Sequence, residues 1–311
     1  MARWLVSLVV ISFVCMLILA YSTESIGNIR FHYAVTRFTG WAKNPNQLAL
    51  LLAPIPFIAA DLGLRAKGAN SAGWWAAATF IVMGGTATQS DALVVAWGST
   101  VFFMAILILF FSARRGRRNS RWVVLGCILV LLIPIIAFLV ESILNLELIS
   151  LLYNSIRSLY EQNEQGHIRI ILWENGMKAI LSSPLVGLGP GSHSGLVGPY
   201  GGSEAHNSLI DWGASAGFLG IAAYLTLMAS MFLAAIRRQR TMLALALYSL
   251  FIFSLFHYVL RHPFFWLTLA TVRLLIEMPS NGIKGMRKNV RVKRFLAATP
   301  YKPQSSISHL L

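Results

Sequence analysis

Eight apolar runs restrict what this chain can become. They lie near residues 4–21, 46–62, 73–89, 93–111, 122–140, 207–236, 241–260 and 264–278. Most approach the roughly 20 residues that an α-helix needs to cross the hydrocarbon core of a bilayer. Inside that core each backbone N–H and C=O must find a partner within the protein, so such runs fold as helices. The composition agrees, with 56% of residues hydrophobic and 12% charged. The expected fold is therefore all-α: a polytopic membrane helix bundle of about eight spans with a long helical loop outside the membrane. The first run is longer than a signal-peptide core and is followed by no small-x-small cleavage site, so it is expected to stay as a span.

The formal charge of +15 would suit nucleic acid, but its placement points elsewhere. With the N-terminus inside, 18 Lys and Arg fall in inner segments, among them the Arg114–Arg121 run, Arg237, Arg238, Arg240 and the tail from Lys284 to Lys302. Only 7 fall outside: Arg30, Arg37, Lys43, Arg157, Arg169, Lys178 and Arg261. The positive-inside rule then sets both termini in the cytoplasm. The basic loops become topology determinants and contacts for anionic lipid headgroups, and no nucleic-acid partner is needed. Residues 1–140 read as a five-span bundle, 141–205 as an outer loop, 206–278 as a three-span bundle and 279–311 as a basic cytoplasmic tail. Cys15 and Cys127 both fall within apolar runs and read as buried thiols. The histidines show no metal-ligand spacing, so no metal or cofactor is expected.

Polar chemistry concentrates on the outer side. The 141–205 loop holds six of the eleven acidic residues, which marks it as solvated. Within it, 148–161 reads as an amphipathic surface helix. A second helix is expected from about 167 to 182, ended by Ser182-Ser183-Pro184 and carrying Arg169, Trp173 and Gly176 on one face. Glycine-rich sequence follows from Gly187 to Gly202; it is neither a Walker loop nor a dinucleotide fingerprint. His206 then opens an apolar helix. At about 100° per residue, Gly213, Gly217 and Gly220 fall roughly −20°, +20° and −40° from it, so one continuous stripe of helix-packing glycines is expected beneath the imidazole. Five of the seven histidines (His32, His167, His193, His206, His262) lie on the outer side. An imidazole beside Arg37, Arg169 or Arg261 suits removal of a hydroxyl proton while guanidinium groups hold a pyrophosphate.

His206-Asn207, nine residues, Gly217, two residues and Gly220 resemble the signature of the bacterial O-antigen ligase and O-antigen polymerase superfamily. The upstream Arg169-Ile-Ile-Leu-Trp173 and the Ser-Ser-Pro-Leu-Val-Gly-Leu-Gly-Pro-Gly-Ser stretch (182–192) resemble that family's outer arginine segment and its Pro-Leu-x-Gly-x-Gly turn. Arg37-Phe-Thr-Gly40 through Asn44-Pro45-Asn46 resembles its loop before a span. The resemblance implies a metal-independent, GT-C-like glycosyltransferase of the bacterial inner membrane with its active site facing the periplasm. The implied donor is a glycan on undecaprenyl diphosphate; the acceptor is the lipid A core or a second lipid-linked glycan. His206 would be the base and Arg169 a catalytic diphosphate ligand, with Arg37, Asn207 and Arg261 binding substrate.

Two departures from the family pattern stand out. At Gln89-Ser90-Asp91-Ala92 relatives carry a Ser-Arg-Gly-like motif, so Asp91 stands in place of a diphosphate-binding arginine. Relatives also have ten or more spans, which leaves an impaired or truncated form open. Two other classes compete. Asp91, Arg273 and Glu277 would fit a small polytopic transporter, although no inverted repeat is visible. Gly213-Ala-Ser215-Ala-Gly217 with His257 would fit an intramembrane serine protease, but that motif needs a strand-to-helix elbow, and Ser215 is expected inside a continuous helix.

Overall fold

A computed structural model describes residues 2–27, 29–33, 37–115, 164–189 and 204–278. The described residues through Ile276 form one compact unit; a second runs from Glu277 to Leu311, and of it only Glu277 and Met278 are described. The described chain is mainly helical. In order come α1 (Ala2–Ser22), α2 (Pro45–Leu52), α3 (Ile55–Arg65), α4 (Ala69–Gly85), α5 (Asp91–Arg115), α6 (Glu164–Ser182), α7 (Ser208–Arg237), α8 (Thr241–Ser254) and α9 (Pro263–Glu277). Two antiparallel hairpins of two-residue strands, pairing Ser25–Ile26 with Ile29–Arg30 and His32–Tyr33 with Arg37–Phe38, occupy the connection from α1 to α2. The apolar run at 122–140, the surface helix at 148–161, the glycine-rich residues 190–203 and the tail after 278 lie outside the described residues.

Among the described residues two segments are long and apolar enough to cross a membrane, Pro45–Arg65 and Ser208–Arg237. They stand in opposite surroundings. In its most apolar window the first is 83% buried inside the protein, the second only 22%. The first is thus a central element. The second turns Phe218, Leu219, Leu225 and Leu233 outward, an arrangement that lipid favours and water opposes. This is a membrane protein's distribution of apolar surface.

The central segment is not one straight helix, as the run 46–62 had suggested. Pro54 and Pro56 lack the N–H needed to continue the helical ladder, and α2 gives way to α3 at Ala53-Pro54. The kink lies in the interior, so its carbonyls need other donors. The Ala53 carbonyl accepts from Trp97 Nε1 of α5 and from Ser249 Oγ of α8, each at 3.0 Å. Two neighbouring helices are thereby fastened to the bend by hydrogen bonds that an unbroken helix would not have offered.

At the far end of α3 lies the other buried polar tie. Asp61 is 2% exposed, and its Oδ2 accepts from Arg240 Nη1 at 2.7 Å. Arg65, one turn on, adds a bond to the same carboxylate at 2.9 Å. Arg240 precedes α8, so the pair pins the α7–α8 turn to α3. Burial lowers the proton affinity of its guanidinium, which the Asp61 charge opposes. Breaking a buried pair from one side leaves a charge without its partner, at about 3–5 kcal/mol. Asp61→Ala or Arg240→Ala should therefore lower the thermal unfolding midpoint in detergent far more than Arg65→Ala. The double variant should recover part of the loss; equal small losses for all three single variants would contradict the assignment.

Candidate active site

The site begins where the α6–α7 connection meets α7. Ser183-Pro184 ends α6, and residues 184–189 then lie along a break in α7 at Gly217, where φ is +64° and ψ −164°. The chain lengths pair as short strands would. Phe218 N–H donates to the Pro184 carbonyl (2.7 Å) and Leu219 N–H to that of Leu185 (3.2 Å). Leu188 and Gly189 N–H donate to the carbonyls of Ala214 (2.9 Å) and Ser215 (3.0 Å). The four groups released by the break are thus re-bonded. The crossing needs glycine on both sides. A Cβ on Gly187 would stand 2.4 Å from Ala216 N, and one on Gly217 2.4 Å from the Leu185 carbonyl.

This corrects the expected stripe. His206 lies outside the helix, with φ +52°, and Gly217 is not helical, so the four residues do not share one continuous helical face. Gly213 packs on Ile180 of α6, while Gly220 lies beneath Ala216 and Trp212 of its own helix. The expectation that Ser215 sits in an uninterrupted helix falls with it, since the break comes two residues later. Ser215 Oγ donates to the Asp211 carbonyl at 3.1 Å, as a helical serine does.

His206 is held from both neighbours. Asn207 caps α7, its Oδ1 accepting from Leu209 N (2.9 Å) and Ile210 N (3.3 Å). The fully buried Asp211 reaches back to accept from Ala205 N (3.0 Å) and Asn207 N (3.5 Å). Trp173 of α6 donates its indole N–H to the Ala205 carbonyl at 2.9 Å. The clamp holds His206, an exposed side chain, in a left-handed conformation that non-glycine residues rarely adopt. Such strain commonly marks functional positions.

The α8–α9 turn closes the other side. The buried Ser208 Oγ donates to the His257 carbonyl (2.7 Å) and accepts from Val259 N (3.0 Å). This brings the His257 ring to 5.8 Å from that of His206, edge to face, and Phe253 stacks on His257 at 4.9 Å. Arg261 lies 5.9 Å over the Tyr258 ring and forms a salt bridge with Glu204. Together with Asn44, Asn46 and Gln47 at the start of α2, and with His262, Leu50 and Phe253, these residues line a small open cleft of about 80 Å³.

Burial sets the protonation of the wall. It raises Glu204 above the usual carboxylate range, with Asp211 adding to the rise and Arg261 opposing it. It lowers His262, which the Arg261 cation lowers further. Tyr258 is raised by burial and then by the Asp211 charge, against a hydrogen bond to Ser215. The wall at neutral pH thus combines an exposed guanidinium, neutral His262 and a neutral phenol.

Of the residues expected from sequence, His206 and Arg261 line this cleft. Asn207 serves as the helix cap beside it. Arg37 stands behind the wall: its Nη2 donates to Asn46 Oδ1 and its Nε to the Thr88 carbonyl, both at 3.2 Å. Arg169 lies in α6, one turn before Trp173. Asp91 is an exposed first-turn acid of α5, where the helix dipole favours negative charge. Sequence reasoning missed Glu204, Tyr258, the three amides and His257's place at the site. The signal available was His257-Tyr258 and Arg261-His262 crowded into one short turn between apolar runs.

Residues 75–225 match the family model of O-antigen ligase. The match supports the O-antigen ligase/polymerase superfamily over that segment. That family points to a membrane enzyme of the ligase/polymerase type and implies lipid-linked glycans as substrates. No curated protein matches the chain. The matched segment includes α6, the Gly217 crossing and His206, whereas Arg37 and the α8–α9 turn lie outside it.

Two outcomes are expected. Gly217→Ala forces an L-residue into a positive-φ, extended-ψ region that is essentially reserved for glycine, at about 1–3 kcal/mol, against backbone that cannot yield. It should destabilise the ligase domain in detergent melts well beyond Gly213→Ala, whose clash is with a movable Ile180 side chain. Glu204 should take up its proton above the ordinary carboxylate pH. A protonated-carboxyl infrared band should therefore grow in on mild acidification and be missing from Glu204→Gln.

Proposed function

We propose that this chain transfers a glycan from undecaprenyl diphosphate to a sugar hydroxyl at the periplasmic face of the bacterial inner membrane. His206 carries the reading: the histidine of the family-like signature lies in a polar cleft beside a second imidazole and a guanidinium. Orientation follows from charge. Helices α3 and α7 run from the cleft end to the end bearing Arg65, Lys67, Arg237 and Arg238, which the positive-inside rule assigns to the cytoplasm. The full chain on this reading has about eight spans.

In the proposed reaction the His206 imidazole accepts the proton of the acceptor hydroxyl. The acceptor oxygen forms a bond to the anomeric carbon as the bond to the diphosphate oxygen breaks, and the electron pair leaves with the diphosphate. One displacement inverts the anomeric centre. Arg169 and Arg261 hold the growing charge on the leaving group, and no step uses a metal. Arg37 does not stand in for the arginine that Asp91 replaces: its guanidinium is engaged with the Thr88 carbonyl and Asn46.

Ligase and polymerase chemistry share this machinery, and a deletion strain separates them. A ligase leaves the lipid A core without long glycan while lipid-linked polymer persists; a polymerase leaves single repeat units. In that strain, His206→Ala should reduce transfer by about 10²–10⁴-fold, and Arg169→Ala should also lose surface glycan. Wild-type surface glycan from both variants would refute the site.

A further inference from the structure

The wall at the start of α2 has an unusual polarity. Asn44, Asn46 and Gln47 all line the cleft, and each has its amide oxygen already engaged. Asn44 Oδ1 accepts from Gln47 N at 2.9 Å, Gln47 Oε1 from Lys43 N at 3.3 Å, and Asn46 Oδ1 from Arg37 Nη2 at 3.2 Å. All three partners are obligate donors, two backbone N–H groups and a guanidinium. The orientation of each amide is therefore fixed by chemistry, not by choice of fit. What each side chain keeps in full for a ligand is its NH2 group, so the wall offers three sets of amide donors beside oxygens that are already engaged once. The sole carboxylate in the lining, Glu204, is paired with Arg261, and the floor beside the amides is apolar Leu50 and Phe253.

We propose that this wall is the subsite for the acceptor sugar: the NH2 groups of Asn44, Asn46 and Gln47 donate to its hydroxyl oxygens while a C–H face of the ring rests on the apolar floor. The inference rests on the glycosyl-transfer reading and adds to it the residues that select the acceptor. A sugar suits this wall better than the diphosphate does. Its donors are neutral, and the Arg37 charge behind them is spent on Asn46 and Thr88. The exposed guanidinium of Arg261 comes from the α8–α9 turn, as does His257, and a charged donor there serves an anion better. A sugar held on the amides would present a hydroxyl towards His206 across the cleft.

The test keeps the internal bonds and removes the donors. Asn46→Asp still accepts from Arg37, Asn44→Asp is an equally good helix cap, and Gln47→Glu still accepts from Lys43 N. Each replaces an NH2 group with an acceptor oxygen. The full-length chain in lipid nanodiscs would be assayed with two probes extracted from the deletion strain, its lipid-linked oligosaccharide donor and its glycan acceptor. Acceptor binding would also be measured without turnover, by thermal shift. Asn46→Asp and Gln47→Glu are expected to raise both the acceptor KM and the acceptor binding constant by about tenfold, leaving the donor KM and the ligand-free melting temperature unchanged. Should Asn46→Asp melt early, Asn44→Asp and Gln47→Glu carry the same test. Unchanged acceptor binding in all three, or a rise in donor KM instead, overturns the subsite. Weakened acceptor binding in these variants, together with transfer that survives His206→Ala, supports the subsite and removes the base role from His206.

Discussion

The crossing of residues 184–189 over the break at Gly217 is the interaction on which the site depends. A helix interrupted within an apolar environment exposes backbone groups, each of which costs several kcal/mol if left unpaired. Here two carbonyls of the first half and two N–H groups of the second are taken up by one passing strand. The repair ties the α6–α7 connection to α7 through backbone alone, with no side chain to rotate away. Because α6 also bonds Ala205 through Trp173, the helix carrying Arg169 is fastened on both sides of His206. The left-handed His206 conformation persists because its surroundings over-determine it.

The bend at Ala53-Pro54 follows the same rule with different donors. There the Ala53 carbonyl takes a tryptophan and a serine side chain, so α5 and α8 gather around α2 and α3. The bend matters for the cleft because α2 starts at it: Asn44 caps α2 with Pro45 following, a well-formed helix start. Both walls of the cleft are thus helix N-termini held in place by an interruption farther along the same segment. Ser208 joins them to the α8–α9 turn through one buried hydroxyl that both donates and accepts.

Sequence periodicity revealed the helices because apolar run length is a strong and local signal. The starts of α1, α2, α7 and α9 fall close to the edges of those runs, and Ser183-Pro184 ends α6 as expected. The kinks were not legible. Gly217 looked like a packing residue because glycine serves both purposes, and only the approach of Leu185 and Val186, distant in sequence, decides between them. The cleft was half legible. His206 and Arg261 stand out as titratable groups at apolar boundaries, whereas Asn44 and Asn46 entered only as part of a family-like loop and Gln47 not at all. Their ligand-facing character depends on which amide atom the fold occupies, and that is a tertiary property. Arg37 shows the same limit from the other direction: its charge was visible, its engagement behind the wall was not.

The Asp61–Arg240 and Glu204–Arg261 ion pairs differ in burial, and the difference suits their positions. Asp61 and Arg240 are each 3% exposed at the side chain. Separating them strands a charge in a low-dielectric interior, so the pair behaves as a fixed joint at the end remote from the cleft. Arg261 is 56% exposed and Glu204 12%. A pair so open to solvent holds by no more than about 1 kcal/mol, and burial already biases Glu204 towards its neutral form. An arriving diphosphate brings more negative charge than one carboxylate and accepts a guanidinium in bidentate fashion. On the proposed reaction, Arg261 can therefore exchange Glu204 for substrate at little cost, and the carboxylate left behind can neutralise itself by taking a proton. A locked pair would have withheld the guanidinium, and an unpaired one would have left it without a fixed resting place at the cleft.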